Sequence, residues 1–105
     1  MPKKFVAGQI GCGNFAMDQH GPNLVRNPHI AKIKWACDIS NKNAAAFAKE
    51  FEVERVTGSF EEVTSDPEVD LICIATSHEV HVPLIESAAG NGKHIYILRK
   101  TDGDE

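Results

Sequence analysis

The chain has 105 residues, 42% hydrophobic and 25% charged, with a formal net charge of -4 and an isoelectric point near 5.7. A single domain of this size buries roughly 60–70% of its unfolded surface, enough for one two-faced core. The acidic balance argues against nucleic-acid binding, no apolar run approaches the ~20 residues that cross a bilayer, and MPKKFVAG lacks the apolar stretch of a signal peptide.

Phe5 to Ile10 reads as a first strand ending at Gly11, with Gln9 an unexpected polar residue inside it. A helix is expected from Asn14 to about Asn27, with a kink or restart at Gly21-Pro22, where proline removes a backbone donor. Ala31 to Cys37 alternates. Ala31, Ile33, Trp35 and Cys37 are expected on one face, and Lys32, Lys34 and Ala36 on a wetter one. Asn41 to Phe51 holds four alanines and reads as a helix. Glu52 to Val56 is the candidate third strand. Ser59-Phe-Glu-Glu62 matches a capping box, so a short helix is expected from Phe60. A turn follows at Ser65-Asp66-Pro67.

Leu71 to Ala75 is a continuous apolar run, the pattern of a strand buried on both faces of a parallel sheet. A helix is expected from about Val80 to Asn91, with Pro83 in its first turn and Gly92 beyond its end. Ile95 to Leu98 is the last strand, with His94 a half-buried residue at its start. Residues 99–105 form a charged tail. The alternation of strand and helix implies an α/β fold: a doubly wound parallel sheet of about five strands, order 3-2-1-4-5, with helices on both faces. A crevice is then expected between strands 1 and 4.

Cys12, Cys37 and Cys73 form no C-x-x-C pair and read as reduced thiols of a cytoplasmic protein. Cys12 lies beside a helix start, which can lower a thiol pKa. With no His or second Cys beside it, a small side chain between two glycines is the simpler reading.

The stretch IGCGNFA sets Gly11, Gly13 and Ala16 in the spacing G-x-G-x-x-A, after a strand and opening a helix. In that context the motif is a dinucleotide-binding fingerprint. Gly11 permits the sharp turn, Gly13 has no side chain to block a phosphate, and Ala16 lets the helix lie close to the sheet. The N–H groups of Asn14 and Phe15 would face a pyrophosphate at the positive end of the helix dipole. Asp38, with Ile39 beside it, ends the second strand and is placed to accept hydrogen bonds from the adenosine ribose. Its charge would repel a 2′-phosphate and so favours NAD over NADP, although Ser40 and Lys42, just beyond, can offset that repulsion.

Taken together, these residues resemble the Gfo/Idh/MocA oxidoreductases. IGCGNFA with His20 looks like that family's first loop and helix. The run from Val56 through Ile97 looks like its short helix, its strand ending in A-T-P-N-x-x-H, and its helix before G-K-H-V. The matching residues are Ala75, Thr76, Ser77, His78 and His81, then Gly92, Lys93 and His94. The resemblance implies a Rossmann domain over 1–98 that binds NAD(P). By the same resemblance Cys12 belongs to the cofactor loop, and Thr76, Ser77, His78 and His81 line the crevice. The family's Pro-Asn is Ser77-His78 here. Its E-K-P motif falls on Leu98, Arg99 and Lys100, with Thr101 in place of proline under a one-residue shift. Members continue into a substrate domain, which this chain is expected to lack, so its catalytic residues are unassigned.

His78-Glu79-Val80-His81 spaces its histidines by three, not the four of H-E-x-x-H, and no metal site is expected. Lys32 and Lys34 read as a solvated strand face, and Trp35 and Phe47 as core. Two functions fit. One is the cofactor half of an oxidoreductase acting on a sugar, polyol or related substrate. The other is a non-catalytic dinucleotide-binding or oligomerising module, or a fragment without its own activity. Self-association into a homodimer is expected in either case.

Overall fold

A computed structural model describes residues 4–13, 16–75 and 81–97. Five strands form one sheet: β1 (Phe5–Ile10), β2 (Ile30–Cys37), β3 (Arg55–Thr57), β4 (Leu71–Ile74) and β5 (His94–Ile97). Their order is β3-β2-β1-β4-β5 and every pairing is parallel. Four α-helices connect them: α1 (Gly21–Arg26), α2 (Asn41–Phe51), α3 (Phe60–Thr64) and α4 (His81–Gly90). The doubly wound order expected from the sequence is the order observed.

Parallel strands that are covered on both sides divide the core in two. One layer joins Ala7, Ile33, Ala36 and Cys73 of the sheet to Ala16, Leu24, Ala44 and Phe47. The other joins Ile10, Trp35, Cys37, Ile72 and Ile74 to Val63, Val69 and Ala88. Thus α1 and α2 cover one face, and α3 and α4 the other. Burial of a side chain such as Phe47, Ile72 or Ile74, each 0% exposed, stabilises the fold by about 1.5–3 kcal/mol relative to exposure.

The first helix does restart at Gly21-Pro22. Ala16–His20 forms a π-helical turn, and α1 begins at Gly21 with Pro22 in its first turn. Pro22 has no N–H to give to the preceding turn, so the hydrogen-bond register widens just before it. Helix α2 runs over the expected residues. The Ser40 hydroxyl caps it by accepting from Asn43 N–H at 3.3 Å, and Glu52 ends it in the left-handed region at φ 54°.

Several expectations need correction. The alternation of β2 breaks in mid-strand. Ala7 pairs with Ile33 and Gly8 with Trp35, so Lys34 is an extra residue in the register. A bulge of this kind reverses the faces that follow it. Ile33 and Ala36 therefore share one core layer while Trp35 and Cys37 share the other. Lys34 is not solvated: it is 8% exposed and reaches Asp66 at 2.7 Å and Glu68 at 2.8 Å. Lys32 does face water, paired with Glu54 at 2.9 Å. The third strand is shifted onto Arg55–Thr57.

Ser59 makes no side-chain cap. Thr57 Oγ1 accepts from Ser59 N–H at 3.1 Å and donates to Glu62 Oε1, so the glutamate of the expected capping box turns to the threonine. His94 opens β5 but is exposed, with its ring edge-on to Phe5 at 5.6 Å. The expected starts and ends at Val80 and Leu98, and the tail 99–105, lie outside the described residues.

The Asp66 carboxylate is the polar hub on the α3 side. It accepts from Lys34 Nζ, from Trp35 Nε1 at 2.8 Å and from Glu68 N–H at 2.9 Å. Burial pushes its pKa up, but the Lys34 ammonium and the two N–H donors outweigh burial and hold the carboxyl at about 2, below its ordinary 3.8. Its contribution is therefore complete above roughly pH 4 and is lost as pH falls toward 2. We expect Asp66→Asn to cost about 1–2 kcal/mol at pH 6, with the gap to wild type shrinking between pH 4 and pH 2. Denaturant unfolding across that range is the measurement. A pH-independent gap contradicts the assignment.

Candidate functional site

Because the strands are all parallel, their C-terminal ends share one edge of the sheet. Gly11 follows β1, Asp38 follows β2 and Ala75 follows β4. The register makes them neighbours, since Ile10 is opposite both Cys37 and Ile74. Gly11 N–H donates to Cys37 O at 2.7 Å and Ala75 N–H donates to Ile10 O at 2.8 Å, extending the ladders past the strand ends. Chain direction diverges at β1, toward β2 on one side and β4 on the other. This is the switch point at which open α/β sheets bind ligands.

Gly11 has φ 91°, a conformation in which a Cβ is strained, so the turn requires glycine. Gly13 differs. Among the described residues, a Cβ built on it meets nothing within 4 Å, so none of them demands glycine there. The side of Gly13 is therefore open as far as the described residues go. Ala16 is fully buried in the layer between sheet and helices, as close packing of that segment requires.

Asp38 joins this loop through Cys12 N–H, which donates to Asp38 Oδ2 at 2.8 Å across 26 residues of sequence. Ser40 N–H donates to Asp38 Oδ1 at 2.8 Å. Each carboxylate oxygen thus has one donor fixed and a second lone pair to offer. Asp38 is half-buried, and Ile39 beside it is 99% exposed. Ser40 is committed to capping α2, and Lys42 is exposed. Together, the turn at Gly11, the open side of Gly13 and the bound carboxylate of Asp38 fit an anionic ligand carrying a ribose.

Cys12 faces inward. It is 2% exposed, and its Sγ donates to Cys37 O at 3.5 Å. Burial, then the Asp38 charge and Cys37, push its thiol up to about 12, so no helix-end activation survives. Burial likewise raises Cys37 to about 11 and Cys73 to about 12, and all three cysteines are free. Any contact of Cys12 with a ligand is therefore through its backbone.

Asn14, Phe15, Thr76, Ser77 and His78 lie outside the described residues. His81 is the first residue of α4. Among the described residues no group of three His, Cys, Asp or Glu is arranged to hold a metal ion, and no helix is long and apolar enough to cross a membrane.

The comparisons with known proteins agree with this geometry. The sequence model described as an oxidoreductase family with an NAD-binding Rossmann fold matches residues 5–97. The chain belongs to the Gfo/Idh/MocA oxidoreductase family. An uncharacterized oxidoreductase of Bacillus subtilis, YrbE, is 34% identical over 91% of this chain and 28% of its own length. A scyllo-inositol 2-dehydrogenase (NAD(+)) of the same organism is 33% identical over 74% of this chain and 23% of its own. The crystal structure of scyllo-inositol dehydrogenase from Lactobacillus casei with bound NAD(H) and scyllo-inositol superposes with a TM-score of 0.81. It is 26% identical over 90% of this chain and 28% of its own. The chain thus spans about a quarter of the length of these relatives, and what it spans is the NAD-binding domain of the Gfo/Idh/MocA family.

Two further residues bear on the loop: Gln9 was legible in the sequence only as an oddity, and His20 only as part of the first helix. Gln9, polar in an apolar strand, and His20 are both fully buried, and Gln9 Nε2 lies 3.0 Å from His20 Nδ1. A polar residue in a strand buried on both faces is the signal that marks Gln9; His20, at the end of the helical turn, carries no such signal.

Proposed function

We propose that this chain is the dinucleotide half of an oxidoreductase site. In this reading it binds NAD through the loop after β1, and the reaction is hydride transfer to or from a sugar, polyol or related substrate. The observation that carries the reading is the 2.8 Å bond from Cys12 N–H to Asp38. It makes one site of the glycine loop and the acidic residue, the two features a dinucleotide needs together. The pyrophosphate would lie on the open side of Gly13 against the amides at the start of the helix. The Asp38 carboxylate would accept from the ribose hydroxyls, and the exposed Ile39 offers apolar surface to the adenine. Thr76, Ser77, His78 and His81 would line the nicotinamide side of the crevice. When bound, the nicotinamide ring accepts or supplies the hydride.

Placement of the substrate is a large part of enzymatic rate. The matched segment is about a quarter of the relatives' length, so the 105-residue chain alone should bind dinucleotide with little turnover. NAD should be preferred, because a 2′-phosphate would sit against the Asp38 charge. In calorimetric titrations we expect NAD and NADH to bind at least about tenfold more tightly than NADP and NADPH, a difference of roughly 1.4 kcal/mol. Asp38→Asn should narrow that ratio. Equal affinities in the wild-type chain contradict the assignment of Asp38.

A further inference from the structure

Gln9 and His20 are each 0% exposed, in the layer between the sheet and helices α1 and α2. An amide side chain placed there is costly unless its hydrogens are used. Gln9 Nε2 has two. One is donated to Gly11 O at 3.0 Å, and the other faces His20 Nδ1 at 3.0 Å. With the amide hydrogens used in this way, His20 Nδ1 is the acceptor.

The bond to Gly11 acts on the loop described above. In a trans peptide the C=O and the next N–H point in opposite directions. Gly11 O and Cys12 N–H belong to one such plane. The oxygen is drawn inward by Gln9 and the N–H is held on the other side by Asp38 Oδ2. Gly11 N–H, one bond earlier, is fixed to Cys37 O. Without the Gln9 donor, only the Cys12 N–H bond to Asp38 opposes rotation of the plane at a glycine already at φ 91°. A rotated plane would break the Cys12 N–H bond to Asp38 and turn the Gly11 carbonyl oxygen toward that carboxylate, uncoupling Asp38 from the loop that carries Gly13.

We propose that Gln9, held by His20, is a positioning residue for dinucleotide binding. It keeps the Gly11–Cys12 peptide oriented so that Asp38 stays bound to the glycine loop and the two are held as one site. The proposal rests on the dinucleotide reading above, and deepens it by assigning the loop's orientation to a side chain outside the glycine motif.

The test uses Gln9→Met, which keeps the volume and removes both bonds, beside His20→Leu and His20→Asn. Asparagine can return an acceptor to the place of Nδ1. Amide hydrogen exchange is measured in the chain without nucleotide, and NAD affinity is measured calorimetrically below the melting transition. Gln9→Met should speed exchange at Cys12 by about tenfold or more while Ile72 in β4 is unchanged. It should also weaken NAD binding by about tenfold. His20→Leu should follow it, and His20→Asn should stay near wild type. If Gln9→Met does not fold, the two His20 variants carry the same comparison. Unchanged Cys12 exchange, or unchanged NAD affinity with Cys12 loosened, overturns the proposal. A wild-type chain that binds no NAD removes the dinucleotide reading and the ligand half of the proposal with it. The exchange measurement then still decides whether Gln9 holds the peptide.

Discussion

Replacing Gly13 by valine should weaken NAD binding by about 100-fold or more, roughly 2.7 kcal/mol, with little change in melting temperature. The asymmetry between the two effects follows from the geometry. Among the described residues a Cβ at Gly13 meets no atom within 4 Å, and its φ lies outside the left-handed region that disfavours other residues. The protein can therefore accept a side chain there, and the volume that side chain occupies is the volume the reading gives to the pyrophosphate. Gly13→Ala should show a smaller loss of the same kind. Titration with NAD and with ADP, beside thermal unfolding, separates the two effects. A stable variant of undiminished affinity would take the phosphate away from this loop.

Gly21→Ala should have the opposite profile, a large loss of stability. A Cβ at Gly21 would lie 2.2 Å from two atoms of the Phe51 ring and 2.7 Å from a third. Phe51 packs at 4.7 Å, tilted by 52°, against Phe47, itself fully buried, so moving the ring gives up a core contact. Helix propensity alone predicts a gain of about 1 kcal/mol from replacing glycine by alanine. Overpacking costs about 1–3 kcal/mol, and contact with a constrained ring belongs at the upper end of that range. The clash should win. In a domain of this size each kcal/mol lowers the melting temperature by about 4–8 °C. In a double-mutant cycle with Phe51→Leu the two costs should be less than additive, because leucine leaves the space that the new methyl needs. A stabilised Gly21→Ala, or strict additivity with Phe51→Leu, would show that the close approach of α1 and α2 is not what glycine serves.

The strand order was legible because each strand carried its own signal and the helices between them were well marked. The apolar run from Leu71 has no wet face, and in the structure Ile72 and Ile74 enter one core layer while Cys73 enters the other. The glycine spacing was legible for a similar reason: only a few residue types satisfy the turn at Gly11. What was not legible depended on contacts distant in sequence. The bulge at Lys34 appears only when β2 is paired with β1, and it buries a lysine that strand periodicity had placed in water. The partners that make this burial tolerable, Asp66 and Glu68, lie more than thirty residues away. Ser59 had the spacing of a cap, but Thr57 competes for Glu62 and the local rule yields.

At the site, Asp38 could be placed at the end of β2 from sequence. That its two oxygens are already held by Cys12 N–H and Ser40 N–H could not. Cys12 had two readings, and the burial that pushes its thiol to about 12 decides for the packing one. Gln9 was visible as a polar residue in an apolar strand. Its bond to Gly11 O explains why a buried strand tolerates it.

The central claim is that the amides from Gly13 onward take an anionic diphosphate at the carboxyl edge of the sheet. Amide chemical-shift mapping of the 105-residue chain during titration with NAD tests it most directly. The account predicts shifts concentrated at Gly13 and the helix start after it, with Asp38 and Ile39 moving in step, and β5 and α3 remaining still. Shifts absent at Gly13, or gathered at the opposite edge around Asp70 and His94, would contradict it.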